Sequence, residues 1–126
     1  MLTEKIMKHA MQQYINGFNS KDSKLLTSLF SDTATIEDPV GGENIVKGKE
    51  AITMFYGRAV EMVDRLELAA PIRGSYGNYA AMAFNIFMTS GGKNIQIGVI
   101  DVMTFDDTGK ITEMKAYHGP GDMIEG

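Results

Sequence analysis

The sequence predicts an α+β fold in which three N-terminal helices pack on a curved, mainly antiparallel sheet. Two observations lead to it. Apolar residues recur at helical spacing through the first half of the chain, and the second half is a succession of extended runs divided by hairpin signals. Helices first and a meander afterwards put the helices on one face of the sheet. A short sheet wrapped around helices is cone-like and leaves a concave interior where a ligand fits.

Taken in order, Ile6, Met7, Ala10, Met11, Tyr14, Ile15 and Phe18 form one face of a first helix, with Thr3 as its N-cap and Asn16-Gly17 loosening its end. A short second helix is expected over residues 22–30, turning Leu25, Leu26, Leu29 and Phe30 inward. Residues 33–38 read as a strand stopped by Pro39, Gly41 and Gly42. A third helix over 49–63 places Ile52, Phe55, Tyr56, Ala59, Val60 and Val63 on its apolar face. Four extended runs follow, 65–75, 79–89, 94–105 and 110–118. They are divided by Gly77-Asn78, Gly91-Gly92 and Asp107-Thr108-Gly109. No repeat, linker or low-complexity stretch interrupts them, so residues 1–126 are read as one domain, long enough to bury a core.

Composition narrows the function. The net charge is −4 and the twelve Lys and Arg are all isolated in sequence, whereas nucleic-acid binding needs a basic stripe. There is no cysteine, and the two histidines, His9 and His118, are far apart, so no thiolate site and no metal-ligand cluster is expected. The N-terminal residues mix charges with apolar side chains, unlike a signal peptide, and no run approaches the ~20 apolar residues of a membrane helix. A cytoplasmic location without membrane association is therefore expected. Ten methionines suit an adaptable interior, as core filler or as a pocket wall for a bulky apolar ligand.

The chemistry concentrates on two aspartates and a tyrosine. Strand alternation puts Ile95, Ile97, Val99, Asp101, Met103 and Phe105 on one side, five apolar residues and one carboxyl. An ionised group there loses its hydration, so it should take up a proton. Holding it neutral at pH 7 from a reference near ~3.9 costs roughly 4 kcal/mol. A neutral aspartic acid in an apolar pocket is a hydrogen-bond donor of the kind that stabilises an oxyanion. The alternative is a carboxyl capping a bulge, and the opposite face, with Ile100 and Val102, is also apolar. Ala34, Ile36 and Asp38 share a face, so Asp38 ends an apolar stripe beside Pro39. There it can stay wet and charged as a general base, although Asp-Pro is also a common turn starter. Tyr14 and Tyr56 lie on inward helical stripes, where a phenol needs a partner and ordinarily braces structure. One carboxyl held neutral and another able to stay charged is the pattern that separates acid from base roles.

At these residues the sequence resembles the Δ5-3-ketosteroid isomerases, of the nuclear transport factor 2-like superfamily. Ile36-Glu37-Asp38-Pro39 and its following glycines resemble the family's base-carrying loop. Val99-Ile100-Asp101-Val102-Met103 resembles the strand with its neutral oxyanion-hole aspartate, the family's known device. Tyr14-Ile15 matches the oxyanion-hole tyrosine, and Phe55-Tyr56 a pair whose tyrosine hydrogen-bonds that phenol. Met82-Ala83-Phe84 and Met114-Lys115-Ala116-Tyr117 match pocket and sheet segments, and the whole runs collinearly over roughly residues 3–117. The resemblance implies a homodimer and a steroid Δ-isomerase that needs neither cofactor nor metal. In it Asp38 shuttles the proton, Tyr14 and Asp101 hold the dienolate oxygen, and Tyr56 orients Tyr14. The substrate it implies is a small apolar ketone, walled by Met82, Phe84, Val99 and Met103, with His118 near the base.

The sequence departs from the family at Phe30, where some members carry a further tyrosine, and at His118, where an aromatic often packs. His118 either hydrogen-bonds Asp38 or merely sits at a strand end. Other readings on the same fold are a polyketide cyclase-like or dehydratase-like enzyme, and a non-catalytic carrier of apolar ligands. An epoxide hydrolase of this shape needs an Asp–Arg–Asp group, for which Arg58, Arg65 and Arg73 are the only arginines.

Overall fold

A computed structural model describes residues 1–126. Three helices, α1 (Glu4–Asn19), α2 (Ser23–Ser28) and α3 (Lys49–Met62), pack on a seven-stranded sheet. The strands are β1 (Phe30–Glu37), β2 (Ile45–Lys47), β3 (Val63–Leu68), β4 (Tyr79–Ser90), β5 (Lys93–Phe105), β6 (Ile111–Tyr117) and β7 (Met123–Glu125). Their order is β2-β1-β6-β5-β4-β3, with β7 also on β5. Every pairing is antiparallel except β1 with β6.

β2 and β3 are the two ends of this path, yet α3 touches both. The sheet curls around the helices into a cone, with α3 running between its two edge strands. β5 is its spine, pairing along its length with β4 while β6 and β7 share its other side. The β4–β5 hairpin turns on Gly91-Gly92, both at positive φ, the primed turn whose twist matches the strands.

The helices lie on the Asp101 side of β5. Ile97, Val99, Asp101, Met103 and Phe105 are buried, while Ile100, on the opposite face, is 49% exposed. The core joins these residues to Met7, Met11, Phe18, Leu26, Ile36 and Met114, so methionine fills it from both helix and sheet.

Thr3 caps α1 as expected, its Oγ1 accepting the Ile6 amide at 3.1 Å, and Asp22 caps α2 by accepting from Leu25 at 3.0 Å. The remaining differences have local causes. α1 does not loosen at Asn16-Gly17. Gly17 is buried where a Cβ would come within 2.9 Å of Leu26, so the glycine admits α2 rather than ending the helix, and α1 continues to Asn19. There the Asn19 carboxamide donates to the Leu66 carbonyl at 3.0 Å and accepts its amide at 2.8 Å, tying α1 to β3. α2 stops at Ser28, and Phe30 already belongs to β1.

The run expected over 65–75 forms β3 only as far as Leu68. Pro71 has no N–H to give, and the chain rejoins β4 at a single bridge, where Arg73 and Ala81 exchange backbone hydrogen bonds of 2.9 Å. The stretch before α3 contains β2, and the C-terminal residues add β7; neither strand was expected.

Candidate active site

Asp101 sits in mid-β5, level with Met82 on β4 and Ala116 on β6. It is 1% exposed, and neither carboxyl oxygen has a hydrogen-bond partner. Burial, and then the charge of Asp38, push its pKa well above the usual carboxylate value. Burial thus favours the neutral form of the carboxyl, and no hydrogen-bond partner in the protein meets either oxygen.

Tyr14, on the inner stripe of α1, accepts a hydrogen bond from the Tyr56 hydroxyl at 3.0 Å; Tyr56 also reaches the Met114 sulfur at 3.6 Å. Both phenols are buried and both pKa values are raised, chiefly by that burial, with Asp101 and Asp38 adding to it. The two rings meet edge to face at 5.7 Å. Phe18, Phe30 and Phe55 pack around Tyr56 at 5.9, 5.5 and 5.0 Å. Phe30 thus closes with a ring the place where a further hydroxyl would lengthen the network. With the Tyr56 hydroxyl donating to Tyr14, the Tyr14 proton is left available.

Asp38 follows the last residue of β1, and its side chain is 27% exposed. The segment after it is well tied. Asn44 donates to the Asp38 carbonyl at 3.1 Å, Val40 donates its amide to Ala116 of β6 at 2.9 Å, and Glu37 accepts the Gly41 amide. His118, the residue after β6, places Nε2 2.8 Å from Asp38 Oδ1. An ionised carboxylate only accepts, so Nε2 carries the proton in that contact. Of the two roles the sequence left open for His118, the structure has the hydrogen bond.

Met82, Phe84, Val99 and Met103 are buried on the inner faces of β4 and β5, with Met82 directly opposite Asp101. Two cavities flank this centre. One, of about 550 Å³, is bordered by Phe84, Val99 and His118 but opens between the outer residues Ala83, Asn85 and Ile100. The other, of about 730 Å³, lies between β2, α3 and the far end of β4, where Ile86 and Met88 continue the inner stripe of Met82 and Phe84. Ile45 and Val46 reach this second cavity from β2, a strand that sequence periodicity did not reveal.

No arginine meets either aspartate. Arg65 pairs with Glu67 at 2.7 Å and lies 3.9 Å over the Phe87 ring, Arg73 donates to the Pro71 carbonyl, and Arg58 borders the larger cavity. No group of three or more metal-ligating side chains is present, and no helix is long and apolar enough to cross a membrane.

The chain, a curled sheet around three helices, belongs to the SnoaL-like domain family, whose pattern it matches over residues 11–114. Within that class it is 36% identical over 118 residues, 94% of each chain, to a steroid Δ-isomerase of Nocardioides simplex. It is also similar to the solved structure of SalBIII, an epoxide hydrolase/cyclase-like enzyme in pyran ring formation in the polyether salinomycin. That likeness has a TM-score of 0.87 and 27% identity and covers 98% of both chains.

Proposed function

We propose that the protein is a cofactor-independent isomerase of β,γ-unsaturated ketones, with a 3-keto-Δ5 steroid as the substrate type. The observation that carries this reading is Asp101: a fully buried carboxyl, held neutral, whose oxygens have no partner in the protein. Leaving such a group unsatisfied costs ~1–3 kcal/mol. The oxygen of a ketone becoming an enolate is the acceptor that removes this cost, and removes more of it as negative charge develops.

In the proposed cycle Asp38 takes the proton from the carbon between the ketone and the alkene. The electron pair moves into the carbonyl, giving a dienolate whose oxygen accepts from Tyr14 and Asp101. Asp38 then returns the same proton two carbons further along, and the double bond ends in conjugation with the ketone. Tyr56 orients Tyr14 by donating to it, and His118 holds the Asp38 carboxylate. The kinship with a steroid Δ-isomerase supports this reading. The likeness to an epoxide hydrolase/cyclase-like enzyme favours another acid–base reaction on the same scaffold. The positions of Arg58, Arg65 and Arg73 speak against epoxide opening by an Asp–Arg–Asp group.

The test is to mix the purified protein with a Δ5-3-ketosteroid and follow the ultraviolet absorbance of the conjugated enone. Asp38→Asn serves as the control, with binding of a phenolic steroid measured alongside. Conversion lost in the control supports the proposal. Folded protein that binds the phenolic steroid without converting the ketone makes it a carrier.

A further inference from the structure

The protein is acidic overall, with sixteen Asp and Glu against twelve Lys and Arg. The walls of the larger cavity run the other way. Its lining contains Lys47 of β2 and Arg58 of α3, and no carboxylate. The rest of that lining is mainly apolar, including Phe55, Ala59, Ile86 and Met88. Neither cation is engaged elsewhere, since the protein's four ion pairs use Lys8, Arg65, Lys93 and His118. Two free cations on the walls of an apolar cavity form a recognition pattern for an amphipathic anion: the hydrocarbon lies on the walls while guanidinium and ammonium meet its charge.

Distance fits this to the proposed chemistry. Asp101 is level with Met82, and Ile86 stands four residues further along the same inner stripe, ~13 Å of extended strand. The cavity wall at Ile86 thus lies within the length of a rigid polycyclic ketone whose oxygen is at Asp101.

We infer that the substrate carries a carboxylate at the end remote from its ketone, bound by Arg58 and Lys47, so that the natural ligand is a keto acid with a large apolar skeleton rather than a neutral steroid. This rests on the isomerase reading only for the position of the ketone. Cations of this kind also cover apolar surface with their methylene stems; that role would give no preference between an acid and its ester.

The test is calorimetric titration with 3-oxo-4-cholenoic acid and with its methyl ester, in the wild type and in the double variant Lys47→Gln/Arg58→Gln. The wild type is expected to bind the acid about tenfold more tightly than the ester. That ratio should fall below about twofold in the double variant, and should shrink in the unmutated protein as salt is raised. Equal binding of acid and ester by the wild type, binding of neither, or a preference that survives both the double substitution and high salt, overturns the inference. Turnover of a neutral Δ5-3-ketosteroid reads the isomerase assignment separately. An acid preference without turnover would leave the anion-selecting cavity standing while the assigned reaction fell.

Discussion

Asp38 and His118 meet at 2.8 Å just beyond the ends of β1 and β6, the one parallel pair in the sheet. Parallel register sets Glu37 against Lys115 and sends both chains out of the sheet at the same end. The carboxylate and the imidazole are therefore brought together by backbone pairing rather than by loop flexibility.

On the proposed cycle that contact gives His118 a positioning role. His118→Ala should lower kcat by about 10- to 100-fold by releasing the carboxylate from its orientation, with a smaller change in KM. His118→Gln, which restores an N–H donor, should recover part of the loss. Steady-state kinetics on the three proteins check this, and an alanine variant with unchanged kcat would remove His118 from the site.

Asp101 ties stability to pH. Its pKa is raised in the folded protein, so between its unfolded value and its folded value the native state holds a proton that the unfolded chain has lost. The contribution is fully present below about pH 4 and is lost as pH rises, at ~1.4 kcal/mol per pH unit across that window. Asp101→Asn cannot ionise. Its stability relative to wild type should therefore increase from pH 4 to pH 8, as urea unfolding at several pH values would show. A difference that does not vary with pH contradicts a neutral Asp101.

The two tyrosines should separate by function. On the proposed cycle Tyr14→Phe removes a donor to the developing oxyanion and should cost about 10²- to 10³-fold in kcat. Tyr56→Phe leaves the Tyr14 hydroxyl without its buried donor and should cost ~1–2 kcal/mol of stability with a smaller kinetic effect. Parallel kinetics and denaturant titrations distinguish them, and equal kinetic losses would place both at the substrate.

Ile100 and Tyr117 stand about half exposed on the outer face of the sheet, and Ile100 borders the outer cavity with them. We expect this face to join two copies of the chain. Sedimentation should give a dimer for the wild type and a monomer for Ile100→Asp, and a monomeric wild type would dispose of that interface.

Much of this was legible because periodicity is a one-dimensional signal. The α1 stripe that carries Tyr14 and the alternation that sets Asp101 on one face with Val99 and Met103 follow from spacing alone. Which face of β5 the helices cover does not, because Ile100 and Val102 are as apolar as their neighbours; the packing of α1 and α3 decides it. The His118–Asp38 contact was open for a different reason. It depends on the parallel β1–β6 register, a long-range pairing with no local signature. The same holds for β2, three residues whose strand character comes from Thr35, Ile36 and Glu37 alongside.

The β1–β6 pairing also dictates an order of assembly. β3 to β6 follow one another along the chain and close by hairpins, so the spine bearing Asp101 can form from neighbouring segments. β1 has only the short β2 beside it until β6 exists, and an isolated pair of strands is marginal in water. β6 pairs with both β1 and β5, so on the proposed chemistry Asp38 and Asp101 come into one site only when β6 is in place.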